Sequence, residues 1–213
     1  MNVVPSELSH REFYRILIGS VAPRPIAWVS TLDRDGQPNL APFSFFNALS
    51  AKPPLLGFSP GLRKIESESH PPESRPKDTL HNIRETGEFV VNLVTFDLSE
   101  KMNLTSGEYE HEINEFELTG LTQAPSEKVR PPRVAESPVS FECKLERIID
   151  FGTEWPSSSL VIGEIVSVHL EERILTNNRF DLDAVDLIGR MGGNQYTRTT
   201  QRFEMERPKV ART

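Results

Sequence analysis

Residues 41–50 (APFSFFNALS) place hydroxyl and amide side chains among aromatic rings at the end of a predicted strand. Such a surface can cover a planar ring, while backbone N–H and C=O groups meet the polar edge of that ring. The alternative is a core strand with a capped exit, which composition alone favours. The run is therefore a candidate ring-binding surface that needs support from elsewhere in the chain.

A second candidate site lies at Lys77, Asp78 and Thr79, where a short helix is predicted to begin. The N–H groups of a helix N-terminus, a threonine hydroxyl and a lysine charge can together hold a phosphate. The alternative is an ordinary Asp78 N-cap beside a solvated lysine. These residue types thus allow a phosphate site without requiring one.

The third candidate is the run at residues 189–193 (GRMGG), followed by Tyr196. Paired glycines let a backbone approach a ligand closely, and the guanidinium of Arg190 can bind a phosphate or stack on a ring. The alternative is a simple loop turn ahead of the C-terminal tail.

Several other kinds of site are excluded. The chain has no G-x-G-x-x-G run after a strand, no G-x-x-x-x-G-K-[ST] phosphate loop and no G-x-S-x-G nucleophile elbow. Its five histidines show no metal-ligand spacing. Its one cysteine excludes an internal disulfide framework and a multi-cysteine zinc site.

Composition narrows the class of protein. The 213 residues are 37% apolar and 26% charged, as in a soluble globular protein, and the net charge of −7 argues against binding nucleic acid or an anionic membrane. The first residues, MNVVPSELSHREFYR, lack the basic and apolar regions of a signal peptide, and no apolar run approaches the length of a membrane span. With a single cysteine, these features predict a cytoplasmic protein without nucleic-acid or membrane partners.

The elements that must position these sites are mostly strands. A short helix is predicted to begin with a capping box at Ser9 and Glu12 and to stop at Gly19, and a second capping box is predicted at Asp97 and Glu100. A third helix is predicted over 78–85. Strands are predicted at 26–32, 37–46, 55–59, 89–95, 139–151, 160–171 and 187–191.

Hairpin-joined strands with short helices in the connections predict a mainly β fold, an antiparallel barrel or sandwich rather than a doubly wound sheet. One domain is expected over 1–213, with a basic C-terminal tail at 193–213. Two irregular segments, at 63–76 and 108–117, are predicted to be either functional lids or variable surface loops.

Read together, three motifs resemble the flavin reductase-like family of FMN-binding split-barrel proteins. They are PRPIAWVSTLDRDGQPNLAPFSFFNALSAKPPLLGFS, KDTLHNIRETGEFVVNL and GRMGG, in that order. The resemblance implies an antiparallel Greek-key split β-barrel that forms a homodimer, with FMN near the dimer interface. FMN needs a dianion site, a flat apolar face and edge hydrogen bonds, and the three motifs supply one each.

The resemblance also implies where the cofactor lies. The end of the first strand is expected near the flavin, and residues 43–48 are expected along its ring and ribityl chain. The 77–79 run is expected at the phosphate. The C-terminal segment is expected close to the flavin, from the same or the second subunit. The cofactor-binding residues so predicted are Ser30, Thr31, Phe43, Ser44, Phe46, Asn47, Ala48, Ser59, Lys77, Asp78, Thr79, Arg190 and Tyr196.

The activity implied is that of an NAD(P)H:flavin oxidoreductase, which passes hydride from nicotinamide to flavin and often supplies a partner monooxygenase. No general base is required, because the protein only has to bind, orient and tune its ligands. FAD is not excluded. Many short members carry Gly-Asp-His where this chain has residues 155–159 (WPSSS), so two alternatives stay open. One is a flavoredoxin-like FMN electron-transfer protein, and the other is a split-barrel flavoenzyme acting on a small organic substrate.

Overall fold

The structure is a computed structural model that describes residues 2–63, 76–177 and 179–208. Most of the segment predicted as a loop at 63–76 lies outside these residues. Helices are α1 (His10–Ser20), α2 (Asp78–Thr86), α3 (Ser99–Leu104) and α4 (Glu115–Thr119), and 3₁₀ turns lie at Pro5–Glu7, Phe96–Leu98 and Glu172–Ile174.

Strands dominate, as predicted. They are β1 (Ala27–Leu32), β2 (Pro38–Phe43), β3 (Phe46–Ala51), β4 (Pro54–Phe58), β5 (Glu88–Asn92), β6 (Gln123–Ala124), β7 (Arg133–Val134), β8 (Val139–Asp150), β9 (Ser159–Leu170), β10 (Leu175–Thr176), β11 (Arg179–Phe180), β12 (Ile188–Arg190) and β13 (Tyr196–Arg198).

Seven strands form one antiparallel sheet in the order β2-β1-β5-β8-β9-β4-β3. Its edge strands, β2 and β3, are separated in sequence by Ser44 and Phe45 alone. That connection spans at most about 11 Å, so the sheet must roll up until its two edges nearly meet. Within the described residues β2 and β3 do not pair, and the roll stays split along this seam.

The core lies inside this roll. Three of its rings contact one another in turn. The centroids of Phe43 and Phe58 lie 5.1 Å apart in a tilted arrangement, and those of Phe58 and Phe89 lie 5.5 Å apart edge to face. A second cluster, which includes Trp28, covers the opposite face of β1. Both faces of β1 are buried, and its two polar residues, Ser30 and Thr31, are buried with the apolar ones.

Some element predictions are wrong in detail. The strand expected at 37–46 is two strands, because the chain turns at Ser44 and Phe45 from one sheet edge to the other. Helix α1 has the predicted capping box at Ser9 but continues past Gly19 to Ser20. The second predicted capping box does not form, since residues 96–98 make a 3₁₀ turn and α3 starts after it without a side-chain cap.

Candidate functional site

A cleft of about 1120 Å³ opens beside the seam of the roll. Among the described residues, six segments of the chain form its walls, namely α1, residues 24–26 ahead of β1, the end of β2 with its connection to β3, the start of α2, helix α3 with the turn after it, and the turn between β12 and β13. Its polar and charged lining includes Arg11, Tyr14, Arg15, Arg24, Ser44, Lys77, Glu100, Arg190 and Tyr196.

The cleft is strongly cationic. Among the residues that the structure describes, four arginines and Lys77 line it against a single carboxylate, that of Glu100. The chain as a whole has a net charge of −7, so this excess of positive charge is local. A cleft lined by one sign of charge attracts ligands of the opposite sign. The geometry therefore suits an anionic ligand.

One face of α1 forms a wall of the cleft. Arg11, Tyr14, Arg15 and Ile18 line it, at the i, i+3, i+4 and i+7 spacing that places side chains on one helix face. The arginines of this helix were not among the predicted site residues. Their helical spacing is the signal that could have found them.

Arg24, also missed, ties three walls together. It is only 6% exposed, and its guanidinium donates to the carbonyls of Ile18 (2.7 Å), Val21 (2.6 Å) and Met191 (3.0 Å). A longer bond of 3.5 Å joins it to the hydroxyl of Ser44. Burial lowers the pKa of Arg24, with a smaller effect in the same direction from Arg190, while Tyr14 opposes both.

The backbone of Arg24 also pairs with the GRMGG run. Its N–H and C=O exchange hydrogen bonds of 2.9 and 2.8 Å with Arg190. A glycine next to Arg190 suits this approach, since a Cβ on Gly189 would lie 3.1 Å from the Cβ of Pro23 and one of the two would have to shift. The run is therefore a turn, as one interpretation held, and it is also a wall of the cleft.

Arg190 is held against Tyr196 within that wall. Its guanidinium lies 4.4 Å from the ring centroid, donates to the tyrosine hydroxyl and donates to the carbonyl of Gly193 at 2.7 Å. Gly193 itself has φ +59°, a conformation that favours glycine. The structure thus brings Arg190 and Tyr196 together at the cleft.

Another wall of the cleft is the start of α2. Lys77, not Asp78, occupies the N-cap position and makes no side-chain cap bond, so the interpretation of Asp78 as the N-cap is wrong. Burial lowers the pKa of Lys77, Arg63 adds to this effect and Glu108 opposes it. Lys77 also borders a small adjoining cavity of about 30 Å³.

That small cavity holds the other predicted phosphate residues. Asp78 accepts a hydrogen bond of 2.6 Å from Arg63, and the hydroxyl of Thr79 accepts one of 2.9 Å from Asn39. The Nε of Arg63 is buried and has no hydrogen-bond partner among the described residues. An unpaired charged donor next to a desolvated lysine fits an anion such as a phosphate.

The acidic segment at 108–117 packs over the start of α2. His111 bridges two carboxylates, 3.2 Å from Asp33 and 3.5 Å from Asp78. Glu115 accepts a 3.0 Å bond from the backbone of Leu40, and burial raises the pKa of its carboxyl. This segment therefore covers the β1–β2 hairpin and the start of α2 rather than standing free in solvent.

The predicted flavin residues divide into five groups. On the cleft or its side cavity lie Ser44, Lys77, Asp78, Thr79, Arg190 and Tyr196. Phe43 and Phe46 pack in or against the core, whereas Asn47 and Ala48 are exposed on β3. Ser59 is half-buried, and its N–H donates to the carbonyl of Phe45 at 2.8 Å.

Ser30 and Thr31 are not brought to the cleft. Both are fully buried, with Ser30 donating to the carbonyl of Pro132 and Thr31 accepting from the amide of Asn82 at 3.1 Å. Their hydroxyls are used inside the fold, where Asn92 also reaches Ser30 at 3.3 Å.

Residues 2–63, 76–177 and 179–208 contain no cluster of side chains suited to a metal ion. Over the same ranges, no helix combines the length and apolar character needed to cross a membrane. Cys143 is a free, buried cysteine, and burial raises the pKa of its thiol.

Comparison with known proteins identifies the family. The model of the flavin reductase-like domain family matches residues 19–183. Nitrilotriacetate monooxygenase component B from Bacillus cereus has a similar structure, with a TM-score of 0.88 and 32% identity over 96% of this chain and 98% of that one.

Two further structures are similar. For 2-nitrobenzoate 2-nitroreductase from Pseudomonas fluorescens the TM-score is 0.85, with 35% identity over 100% of this chain and 99% of that one. The third is a protein from Shewanella frigidimarina that is provisionally assigned as a flavin reductase with a split-barrel domain. Its TM-score is 0.78, with 26% identity over 98% of this chain and 100% of that one. The expected split barrel, mainly β and antiparallel, is confirmed.

Proposed function

Since this chain belongs to the flavin reductase-like domain family, we propose that it is a flavin-dependent oxidoreductase that holds FMN in the cationic cleft. The observation that carries the proposal is an anion site on this cleft, where the desolvated Lys77 lies beside the Nε of Arg63, which is buried and has no hydrogen-bond partner among the described residues. FMN combines a phosphate dianion with a planar ring, and the cleft also offers the rings of Tyr14 and Tyr196.

The phosphate would be held by Lys77, by the unpaired Nε of Arg63 and by the N-terminus of α2 with the Thr79 hydroxyl. The side cavity has room for about one water, so the phosphate would lie at its mouth, beside Lys77. Asp78 is compatible with this arrangement because Arg63 already neutralises its charge.

The ring would lie toward Ser44 and the backbone of residues 45–48, with Arg190 and Tyr196 facing it from the C-terminal segment. When bound, the flavin supplies two-electron redox chemistry. The chain's own residues bind and orient it, and no side chain is needed as a general base.

We further propose that NADH or NADPH is the electron donor. The purified protein should be yellow, with absorbance near about 450 nm that bleaches on anaerobic addition of one nucleotide. Indifference to both nucleotides would instead favour the flavoredoxin-like electron carrier. A colourless protein that takes up neither FMN nor FAD would refute flavin binding, and tighter binding of FAD would refute FMN as the cofactor.

Lys77→Met tests the phosphate assignment directly. Loss of a desolvated charge–phosphate contact should weaken FMN binding about tenfold or more, measured by quenching of flavin fluorescence. Riboflavin, which lacks the phosphate, should bind the variant and the natural protein equally. Lys128→Met is a matched control because that side chain is exposed and outside the cleft. Equal loss of riboflavin and FMN affinity in the Lys77 variant would contradict the assignment.

A second candidate function is favoured by the size of the cleft. Its 1120 Å³ exceeds the range of about 300–1,000 Å³ that holds one drug-sized ligand, which leaves room for an organic substrate beside the flavin. The full-length similarity to a 2-nitrobenzoate nitroreductase supports this reading. Oxidation of NAD(P)H that depends on an added nitroaromatic compound would favour it over free-flavin reduction.

We propose that the protein is a homodimer and that, as a reductase, it supplies a partner monooxygenase. An open seam and exposed apolar strand residues, such as Leu49 (48% exposed) and Val168 (45%), support an interface between copies. The similarity to a monooxygenase component supports a partner enzyme. Light scattering coupled to gel filtration tests the first point, and a monomer would refute it.

A further inference from the structure

The cleft carries more positive charge than one FMN phosphate requires. Lys77 lies at the proposed phosphate site with the unpaired Nε of Arg63 beside it, while the charge of Arg63 is shared with Asp78. The charge of Arg24 is buried and engaged by three carbonyl groups. Two cationic side chains of the same cleft, Arg11 and Arg15, are left without such a role.

Arg11 and Arg15 lie one helical turn apart on the face of α1 that lines the cleft. Both are exposed, and neither makes a hydrogen bond or ion pair with any residue in the described ranges. The nearby Glu12 is occupied, since it accepts hydrogen bonds from the backbone and hydroxyl of Ser9 in the capping box. The pair is thus held by the capped helix and free to meet a ligand.

The surroundings of the pair favour a ligand with a flat apolar part. Tyr14 lines the cleft from the same helix face, and its ring lies 6.5 Å from that of Phe45 at a tilt of 32°. Asn103 and Asn194 add amide groups to the cleft wall. Glu100, the one carboxylate that the described part of the chain places on the cleft, disfavours a ligand that is purely anionic.

We propose that Arg11 and Arg15 form a second anion subsite, which binds the negative group of the co-substrate, while FMN occupies the Lys77 end. This inference rests on the proposed function. The shared chemistry is an anionic group on a planar molecule, and it has two sources, the phosphates of a nicotinamide dinucleotide or the carboxylate of an aromatic acid. Both arginines are specificity-determining residues here, and neither is required for FMN itself.

The test uses the FMN-loaded protein and the double variant Arg11→Gln, Arg15→Gln. Dissociation constants for NADH, NADPH and benzoate are measured by isothermal titration calorimetry, with neutral benzamide as the uncharged counterpart of benzoate. We expect at least one of these anions to bind about tenfold more weakly or worse, with benzamide and FMN affinities changed by less than about twofold. KM for that anionic co-substrate should rise while kcat changes little.

Two controls separate charge from folding. The double variant Arg11→Lys, Arg15→Lys keeps the charges and should recover part of the lost affinity. Arg147→Gln removes an exposed arginine outside the cleft and should change nothing. The affinity of the natural protein should fall more steeply than that of the glutamine variant between about 0.05 and about 0.5 M salt, because salt screens exposed charges.

If the glutamine variant loses affinity for the dinucleotides alone, the subsite binds the phosphates of a nicotinamide dinucleotide. If it loses affinity for benzoate alone, the subsite binds the carboxylate of an aromatic acid. The proposal is overturned if the glutamine variant binds all three anions as the natural protein does, or if none of them binds the natural protein. It is also overturned if FMN affinity falls with the two arginines, since they would then belong to the cofactor site. Absence of FMN binding in the natural protein would instead refute the proposed function.

Discussion

Removing the guanidinium of Arg24 should destabilise the protein more than removing any other arginine of the cleft. Arg24→Ala deletes three charge-assisted bonds, to the carbonyls of Ile18, Val21 and Met191, and leaves these acceptors without their donor. Two of the carbonyls lie at the C-terminal end of α1, where the helix dipole also favours a cation.

The size of the effect follows from these contacts. Hydrogen bonds to a charged group contribute about 1.5–3 kcal/mol each, so three of them contribute at least about 4.5 kcal/mol. The burial of Arg24 and its proximity to Arg190 oppose this gain, as the lowered pKa of Arg24 indicates. Arg24→Ala should therefore lower the free energy of unfolding by about 3 kcal/mol, which is within the range measured for breaking buried charged contacts.

For a chain of this length, about 3 kcal/mol corresponds to a fall in Tm of about 6–12 °C. Thermal unfolding followed by circular dichroism on flavin-free protein measures it. Arg11→Ala is the matched control, because this exposed arginine of the same cleft should change Tm by less than about 2 °C. Arg24→Lys keeps the charge but cannot reach three carbonyls, so it should lie between the two. An Arg24→Ala variant that melts within about 2 °C of the natural protein would refute the reasoning.

Three further outcomes are expected. Lys77→Met should raise the Tm of flavin-free protein while it weakens FMN binding. The pKa of Lys77 is lower in the folded protein than in the unfolded chain, so the unfolded chain holds the Lys77 proton more tightly. The free energy of unfolding therefore rises as pH rises through the lowered pKa, and at neutral pH the buried charge of Lys77 destabilises the fold. Gly163→Ala should cost about 2 kcal/mol in urea unfolding, because the new Cβ would lie 2.3 Å from the Cζ of the fully buried Phe89. Burial would raise the pKa of Glu142, but bonds from two backbone N–H groups and from His169 outweigh it and lower the pKa. The stabilisation that ionised Glu142 provides is therefore present above the pKa of Glu142 in the unfolded chain, and it is lost as pH falls through the lowered pKa in the folded protein. Glu142→Gln should therefore flatten the pH dependence of urea unfolding below about pH 5.

Much of the fold could be predicted because it follows from local pattern. Period-two apolar spacing and turn residues located the strands, and the capping box at Ser9 located the start of α1. The errors lie where local pattern carries no signal. Nothing in APFSFFNALS marks Ser44 and Phe45 as a corner, since that corner exists only because a rolled sheet brings its two edges together.

The candidate site divides in the same way. The sequence by itself determined which residue types could meet a phosphate and a ring, because Lys77 at a helix start and Arg190 beside glycines have those properties in any fold. Only the tertiary structure decided that Arg24 meets Met191, 167 positions away, and that the arginine face of α1 turns toward the same cleft. Contacts over such separations depend on sheet register and closure, which short-range preferences of the chain do not encode.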